Sequence, residues 1–586
     1  MLSFIEYASE KRILELLIKE RVKIALKGKM QNISSVNVVS KSGEGASLMI
    51  AEEMFLLMPP RRTWLRPSSR ERVSKEDSGP KPLKQVLMRS IALTIKKHRK
   101  TPDKYRYLKH LDNFIKRIQE DIQGCAPLTF RSIRIIPKKK KKDTKGVIIN
   151  RPICVFESLR EKLLISLASK YLSEVFDPYL HEEVLSYRPP RTYHNSETPV
   201  LTDRDHAIES LQVHRKKHRC GGLYVTECDI QKYFETINHD VIRRRFKALA
   251  DEVKKQHPDL EYTPVERILD AYLNSYSFYK SVAPHNVQSM QGKNPSKYEC
   301  PKDELFISRG CYSKAEFEAS KDKIGIPQGG ALSGLISNVV LSAVDRESIL
   351  AEPDSNRFFC RYGDDIMLMH PSKEKCKTLI QRYCEVLTKD KLLYHDFVSV
   401  ADEDFRHKDG CKTHPALWDQ KSRSPFLWGR GEAESVDWIG FLGYEIRYTG
   451  EVRMRRSSLN EKFKGIKRKY RSGAKTKIAR GQFVENGKKN FDTEIAQRIN
   501  QFVGDGLVKA KSLTRNKYAM TQALKLDKYA SRWIYRLLYK IAKRNGRDVS
   551  EVEAWWSKAK EHGCINYRRT LPKKQREKFA KAQKTS

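Results

Sequence analysis

Residues 358–370 read FFCRYGDDIMLMH. Two adjacent carboxylates, Asp364 and Asp365, stand between an aromatic approach and the apolar run Ile366 to Met369. The pattern is that of strand, tight turn, strand. Two like charges at a hairpin tip between buried strands repel strongly in a low dielectric, so either one is protonated or a cation sits on them. A divalent metal is the economical answer. Hard oxygen ligands favour Mg2+ or Mn2+, and two-metal phosphoryl transfer uses carboxylates from different strands to hold ions about 4 Å apart. Such a site requires a third carboxylate.

Asp229 is the candidate, because it ends the apolar strand LYVTECD, where a buried carboxylate needs a partner. The backbone carbonyl of Ile230 can serve the same metal. Tyr233 and Phe234 follow, and an aromatic ring there would clash with a 2′-hydroxyl and so select deoxynucleotides. The alternative is that both rings are core.

Upstream, FRSIRIIPKKKKKDTKGVIINRPICVF has two β-branched runs around a lysine-rich turn, the signature of a hairpin with a basic tip. The lysines 138–142 form either a solvated turn or a tip that closes over a triphosphate, with Arg151 gripping phosphate oxygens from the returning strand. FESLREKLLISLASKYLSEVFDPYL spaces its apolar residues as a packed helix, and Asn238 opens another. KIGIPQGGALSGLISNVVLSAVDRE is a Gly-rich loop feeding a helix, and VDWIGFLGYEIRYTGEVRMRRSSL supplies two short strands. Residues 250–322 and 397–436 read as polar insertions. The first hundred residues read as an appended helical region, with an irregular arm over 59–84 and a helical stretch from about Pro82 to Gln123. From about 459 the periodicity is helical again, with Leu526, Tyr529, Trp533, Leu537 and Ile541 on one face.

Composition sets the partner class. Among 586 residues, 114 Lys and Arg face 72 Asp and Glu, a net charge of +42, so the expected partner is a polyanion. No segment approaches the roughly 20 uncharged apolar residues that span a bilayer, so no membrane is expected. The opening MLSFIEYASEKRILELLIKERVKIAL lacks the layout of a secretory signal, which points to a cytoplasmic protein. The 11 cysteines form no CxxC pair, and no HExxH or zinc-spaced Cys/His cluster occurs, which argues against a zinc nuclease and for buried thiols.

Taken together, RPICVFESLREK…VLSYRPPR, CDIQKYF, GIPQGGALSGLISNVVL, RYGDDIML and FLGYEI occur in the order and with roughly the spacing of reverse transcriptase motifs. The chain resembles bacterial reverse transcriptases of the group II intron-like branch, over about residues 130–460. The resemblance implies an α+β right-hand polymerase: an N-terminal helical extension (1–105), fingers and palm (106–458, fingers near 106–220), and a helical, basic thumb (459–586). It makes Asp229, Asp364 and Asp365 the catalytic metal ligands, joined by the Ile230 carbonyl, and Phe234 the sugar gate beside Tyr233. It places Gln328 and Gly329 at template and incoming nucleotide, and Arg151 and Lys138 at the triphosphate. Tyr362 falls near the primer end, with Gly443 and Tyr444 as primer grip. Implied with these are two Mg2+ ions, deoxynucleotides, an RNA template and a DNA product.

Departures from the family narrow the branch. Intron-encoded enzymes read Ser-Pro where Ser333–Gly334 stands, and KLLYHDFVSVADEDF offers no equivalent of the family's lysine after the hairpin, which leaves the proton donor to pyrophosphate open. No zinc-type endonuclease follows the thumb, and the retron signature is absent. The chain is most similar to the defence-associated and abortive-infection reverse transcriptases. That implies anti-phage DNA synthesis with a dedicated noncoding RNA, and a second copy of the chain or a companion defence protein as partner. The alternatives are an intron maturase without its nuclease and an RNA-binding scaffold with a silent palm.

Overall fold

The computed structural model describes residues 2–28, 45–72, 83–131, 133–142, 146–189, 204–218, 221–290, 295–402, 415–429, 435–461 and 463–465, with scattered positions from 529 to 553. The five lysines expected at the hairpin tip, 138–142, fall on a strand, and the turn at 143–145 lies outside the described residues, as do Leu526, Trp533, Leu537 and Ile541 and most of the expected thumb. The fold is mixed α+β, and the chain divides into two compact units. One comprises Met1–Ala207, Tyr224–Phe405 and Pro415–Phe426; the other comprises Ile208–Leu223, Arg406–His414 and Leu427–Ser586.

In the first unit, β1 (Arg134–Lys142) and β2 (Ile148–Val155) form the expected antiparallel hairpin, in a register that sets Lys138 opposite Arg151. The supposed insertion at 250–322 contributes to this sheet: β4 (Ser296–Tyr298) pairs parallel with β2, and Tyr276, Phe278, Val282 and Tyr298 pack with Ile133 and Cys154. Its tyrosines, polar by composition, are largely core. A phenol ring buries a large apolar area whatever its hydroxyl does.

The central sheet orders its strands β5-β6-β3-β8-β7, where β3 is Leu223–Asp229, β5 Phe358–Tyr362, β6 Asp365–His370, β7 Phe397–Val398 and β8 Ser422–Trp428. Placing 397–436 outside the sheet therefore misread β8, which adjoins the Asp229 strand. Its residues Ser422 and Arg423 are buried polar groups, and Arg423 is ion-paired with Glu227, so the strand carries too little apolar signal to be read from its sequence. Helices pack against this sheet, and two of them begin at side-chain caps. Ser158 caps Leu159–Phe176 by accepting the Glu161 N–H, and Asn238 caps His239–Gln256 by accepting those of Asp240 and Val241. Ala331–Glu347 is enclosed on most sides.

The first hundred residues share this core. Phe4 packs its ring 5.1 Å from that of Tyr171, the Tyr7 hydroxyl donates to Glu174 at 2.7 Å, and Ile13, Leu17 and Val22 are buried in the cluster that holds Leu164 and Leu341. The helical stretch expected to Gln123 consists of two helices, Leu83–His98 and Arg106–Gln123. Pro102, which cannot donate an N–H and pushes Thr101 out of helical geometry, separates them with a short 3₁₀ turn.

In the second unit, β9 (Trp438–Phe441), β10 (Tyr444–Arg447) and β11 (Val452–Met454) form an antiparallel meander of three strands where two were expected. Gly443 and Tyr444 sit at its first turn.

Candidate active site

The hairpin at 358–370 forms as its sequence dictates. Tyr362 pairs with Asp365 across a two-residue turn, and Gly363 adopts φ 77°, which the turn demands and a β-carbon would resist. β3 pairs antiparallel with β6 so that Asp229 stands directly opposite Asp365. Neighbouring Cβ atoms in such a pair are about 5 Å apart and share one face of the sheet. Tyr362, Asp365 and Asp229 thus form a row across three strands, with Asp364 at the tip beside them.

The three carboxylates feel one another. Burial, and then the charges of Asp365 and Asp229, push the Asp364 carboxyl up to about 6. Asp229 is 7% exposed and accepts a hydrogen bond from Lys421 Nζ at 2.6 Å, with His395 Nε2 at 3.9 Å. Desolvation works against the Lys421 ammonium, but the bond to Asp229 and the charges of all three aspartates outweigh it and raise its pKa. Lys421 lies immediately before β8, and sequence reading passed over it because that strand was taken for part of an insertion. A lysine at the head of SRSPFLW was the available signal. Among the described residues, no group of three or more His, Cys, Asp or Glu side chains that could hold a metal ion is present as arranged. The donor chemistry nevertheless suits a hard cation: crowded carboxylates with one position taken by an ammonium.

Ile230 is buried and bridges to Tyr394. The two bonds of that bridge run from the Gln231 N–H to Leu393 and from the His395 N–H to Asp229, so neither uses the Ile230 carbonyl. Tyr233 is 1% exposed and belongs to the core, which corrects the expectation that both rings face the nucleotide. The short helix Tyr233–Thr236 turns successive side chains to different sides, and only Phe234 reaches the open cavity.

That cavity, about 430 Å³, is lined by Arg151, Phe234, Gln328, Gly329 and Tyr187, among others. Four of these five carry predicted nucleotide contacts; the fifth, Tyr187, was not foreseen. Gln328 donates through Nε2 to Glu235 at 2.7 Å, and its carbonyl accepts the Cys154 N–H at 3.0 Å, which fixes the loop against β2. Lys138 is exposed opposite Arg151 and does not line the cavity. Gly443 and Tyr444 belong to the second unit.

Behind the hairpin, Arg361 is fully buried. It donates to Asp345 at 2.7 Å, Ser342 at 2.9 Å, Asn338 at 3.3 Å and the Gly363 carbonyl at 3.3 Å. A buried guanidinium with its donors distributed in this way ties the turn to the Ala331–Glu347 helix.

No protein-family model and no curated protein matches the chain. Among solved structures it is similar to apo telomerase from Candida tropicalis (11% identity, 95% of this chain and 99% of that one, TM-score 0.35). It is also similar to a C-terminally truncated form of that telomerase (15%, 56% and 55%, 0.32), of whose length it spans about half. A third similarity is to Candida albicans telomerase in complex with a fragment of telomeric RNA (12%, 80% and 69%, 0.31). Among the described residues no helix is long and apolar enough to cross a membrane.

Proposed function

We propose that the chain is an RNA-directed DNA polymerase of the reverse transcriptase type. The observation that carries this reading is the register of β3 and β6, which brings Asp229 beside Asp365 and the Asp364 tip from positions more than a hundred residues apart in sequence. The cavity with Arg151, Phe234 and Gln328 supports it, since it offers a cation, an aromatic wall and an amide to one ligand. Asp229, Asp364, Asp365 and the Ile230 carbonyl would hold two Mg2+ ions, which supply charge neutralisation at the α-phosphate and acidify the attacking 3′-hydroxyl. Arg151 binds triphosphate oxygens, Phe234 excludes the 2′-hydroxyl, and Gln328, held by Glu235, orients the nucleotide. Lys421, carrying its proton beside Asp229, is placed to neutralise or protonate a departing phosphate oxygen. The motif resemblance and the +42 charge support work on a noncoding RNA in antiviral defence.

The test is deoxynucleotide incorporation on an RNA template by the full chain with magnesium. Asp364→Asn is expected to lower incorporation by at least about a hundredfold while RNA affinity stays within about twofold. Undiminished synthesis by the variant would remove these aspartates from the chemistry.

A further inference from the structure

Tyr187 combines features that packing alone does not reward. The residue is 57% exposed, and its backbone adopts φ 56°, a left-handed conformation that strains a bulky non-glycine residue. The surroundings enforce that conformation from both sides. The Leu185 N–H donates to the Arg361 carbonyl at 2.9 Å, and the Arg361 N–H donates to Glu183 at 3.0 Å. Asn338 Nδ2 holds the Ser186 carbonyl at 2.8 Å, and Arg188 reaches back to the Val184 carbonyl at 3.0 Å and to Asp177 at 2.7 Å. Arg361 and Asn338 also brace the aspartate hairpin, so the ring and the carboxylates are fixed to one frame.

The ring's position is defined by two glycines. A β-carbon on Gly334 would meet Tyr187 Cγ at 2.6 Å, and one on Gly363 would lie 3.7 Å from its Cε2. The ring therefore lies over the Ala331–Glu347 helix where that helix has no side chain, and extends toward the turn that presents Asp364. Burial and the Asp364 charge raise the phenol's pKa, which keeps the hydroxyl protonated and the ring uncharged. It forms one wall of the cavity that Arg151, Phe234 and Gln328 also line. A side chain at position 334 would displace the tyrosine ring.

We propose that Tyr187 is a nucleobase-stacking residue, its ring forming the flat floor on which a base is held in this cavity, with Gly334 as the gap that lets it lie there. The inference deepens the polymerase reading and rests on it. A strained, exposed aromatic braced from behind is a pre-ordered stacking surface, and such stacking is sequence-tolerant because every base presents a π-face. The base can come from the template or from the incoming nucleotide.

The experiment uses the full chain with an RNA template carrying 2-aminopurine at the first unpaired position, alongside steady-state incorporation. Tyr187→Gly removes the ring and relieves the backbone, so it is expected to melt no lower than wild type, and Tyr187→Phe is expected to behave as wild type. If the template base is stacked, wild type and Tyr187→Phe quench 2-aminopurine and Tyr187→Gly does not. If the incoming base is stacked, Tyr187→Gly raises KM for the nucleotide by about ten- to a hundredfold, with template affinity unchanged. Gly334→Val is expected to reproduce the loss, and the double variant to be no worse than Tyr187→Gly alone. Quenching and KM both within twofold of wild type in Tyr187→Gly would overturn the stacking role, while a dead Asp364→Asn would leave the polymerase reading standing. A wild type without incorporation would remove the polymerase reading, and the fluorescence arm would still decide the stacking.

Discussion

Glu235 sits one residue past the ring that lines the cavity, is 5% exposed, and accepts the Gln328 amide. Burial pushes its carboxyl up to about 7, against the opposing pull of Lys232 and Arg151. Because the folded value lies above the ordinary one of 4.5, its contribution to stability is fully present below about pH 4.5 and is lost as pH rises through about 7. Glu235→Gln retains an oxygen for Gln328 and removes the titration. The variant is therefore expected to match wild type in urea midpoint near pH 4.5 and to exceed it near pH 8. The gain reaches at most about 3 kcal/mol, since each tenfold change in proton affinity is worth about 1.4 kcal/mol. Parallel pH profiles for the two proteins would contradict the assignment. At this scale the sequence was legible where chemistry is local: Asp364 and Asp365 announce themselves by sitting together amid apolar residues. Lys421 and Tyr187 do not, because a lysine before a polar strand and a tyrosine in a loop are ordinary until something is placed beside them.

The elements behind the hairpin carry its geometry. Arg361 and Asp345 are both fully buried, and burial raises the Asp345 carboxyl to about 6 even with the guanidinium beside it. Removing one partner leaves the other charge without compensation, at a cost of about 3–5 kcal/mol, whereas replacing both with apolar groups of similar size approaches neutrality. Arg361→Met is accordingly expected to lower the unfolding free energy by that amount, and Arg361→Met with Asp345→Leu to recover most of it. Chemical denaturation of the single and double variants measures this, and additive losses would show that the pair is not coupled. The double variant is also expected to lose incorporation, because the Gly363 carbonyl has then lost its donor and the turn its brace. The helix and strand boundaries near this network were readable from periodicity and caps, as at Asn238. The pairing of Arg361 with Asp345 was not, since either residue alone reads as a surface charge.

At the scale of the whole molecule, the N-terminal segment is part of the first unit's core. Phe4, Ile13, Leu17 and Val22 are all at 0% exposure, and Lys162 bonds Glu20 at 2.6 Å. Truncating one such large apolar side chain costs about 2–5 kcal/mol, so the loss on deleting residues 1–28 is comparable with the total stability of a typical domain. The shortened chain is expected to aggregate or to lack a cooperative melting transition by calorimetry. A deletion variant that melts within a few degrees of the full chain would show that the segment is a separable appendage, as its composition first suggested.

The sequence by itself determined a set of local features: an aspartate pair at a turn, a third at a strand end, a basic hairpin and a charge balance suited to a polyanion. Each of those depends only on neighbours within a few residues. Tertiary structure alone decided that Asp229 faces Asp365, that a strand from a polar stretch brings Lys421 to them, that Tyr233 is core and Phe234 is not, and that Tyr187 is braced over Gly334. The physical reason is that strand order, burial and the partner of a charge are set by contacts between residues distant along the chain. Periodicity and spacing report on neighbours along the chain, so the meeting of Asp229 with the hairpin was legible only through the chemistry of a shared cation, and the register that sets it opposite Asp365 only in the fold.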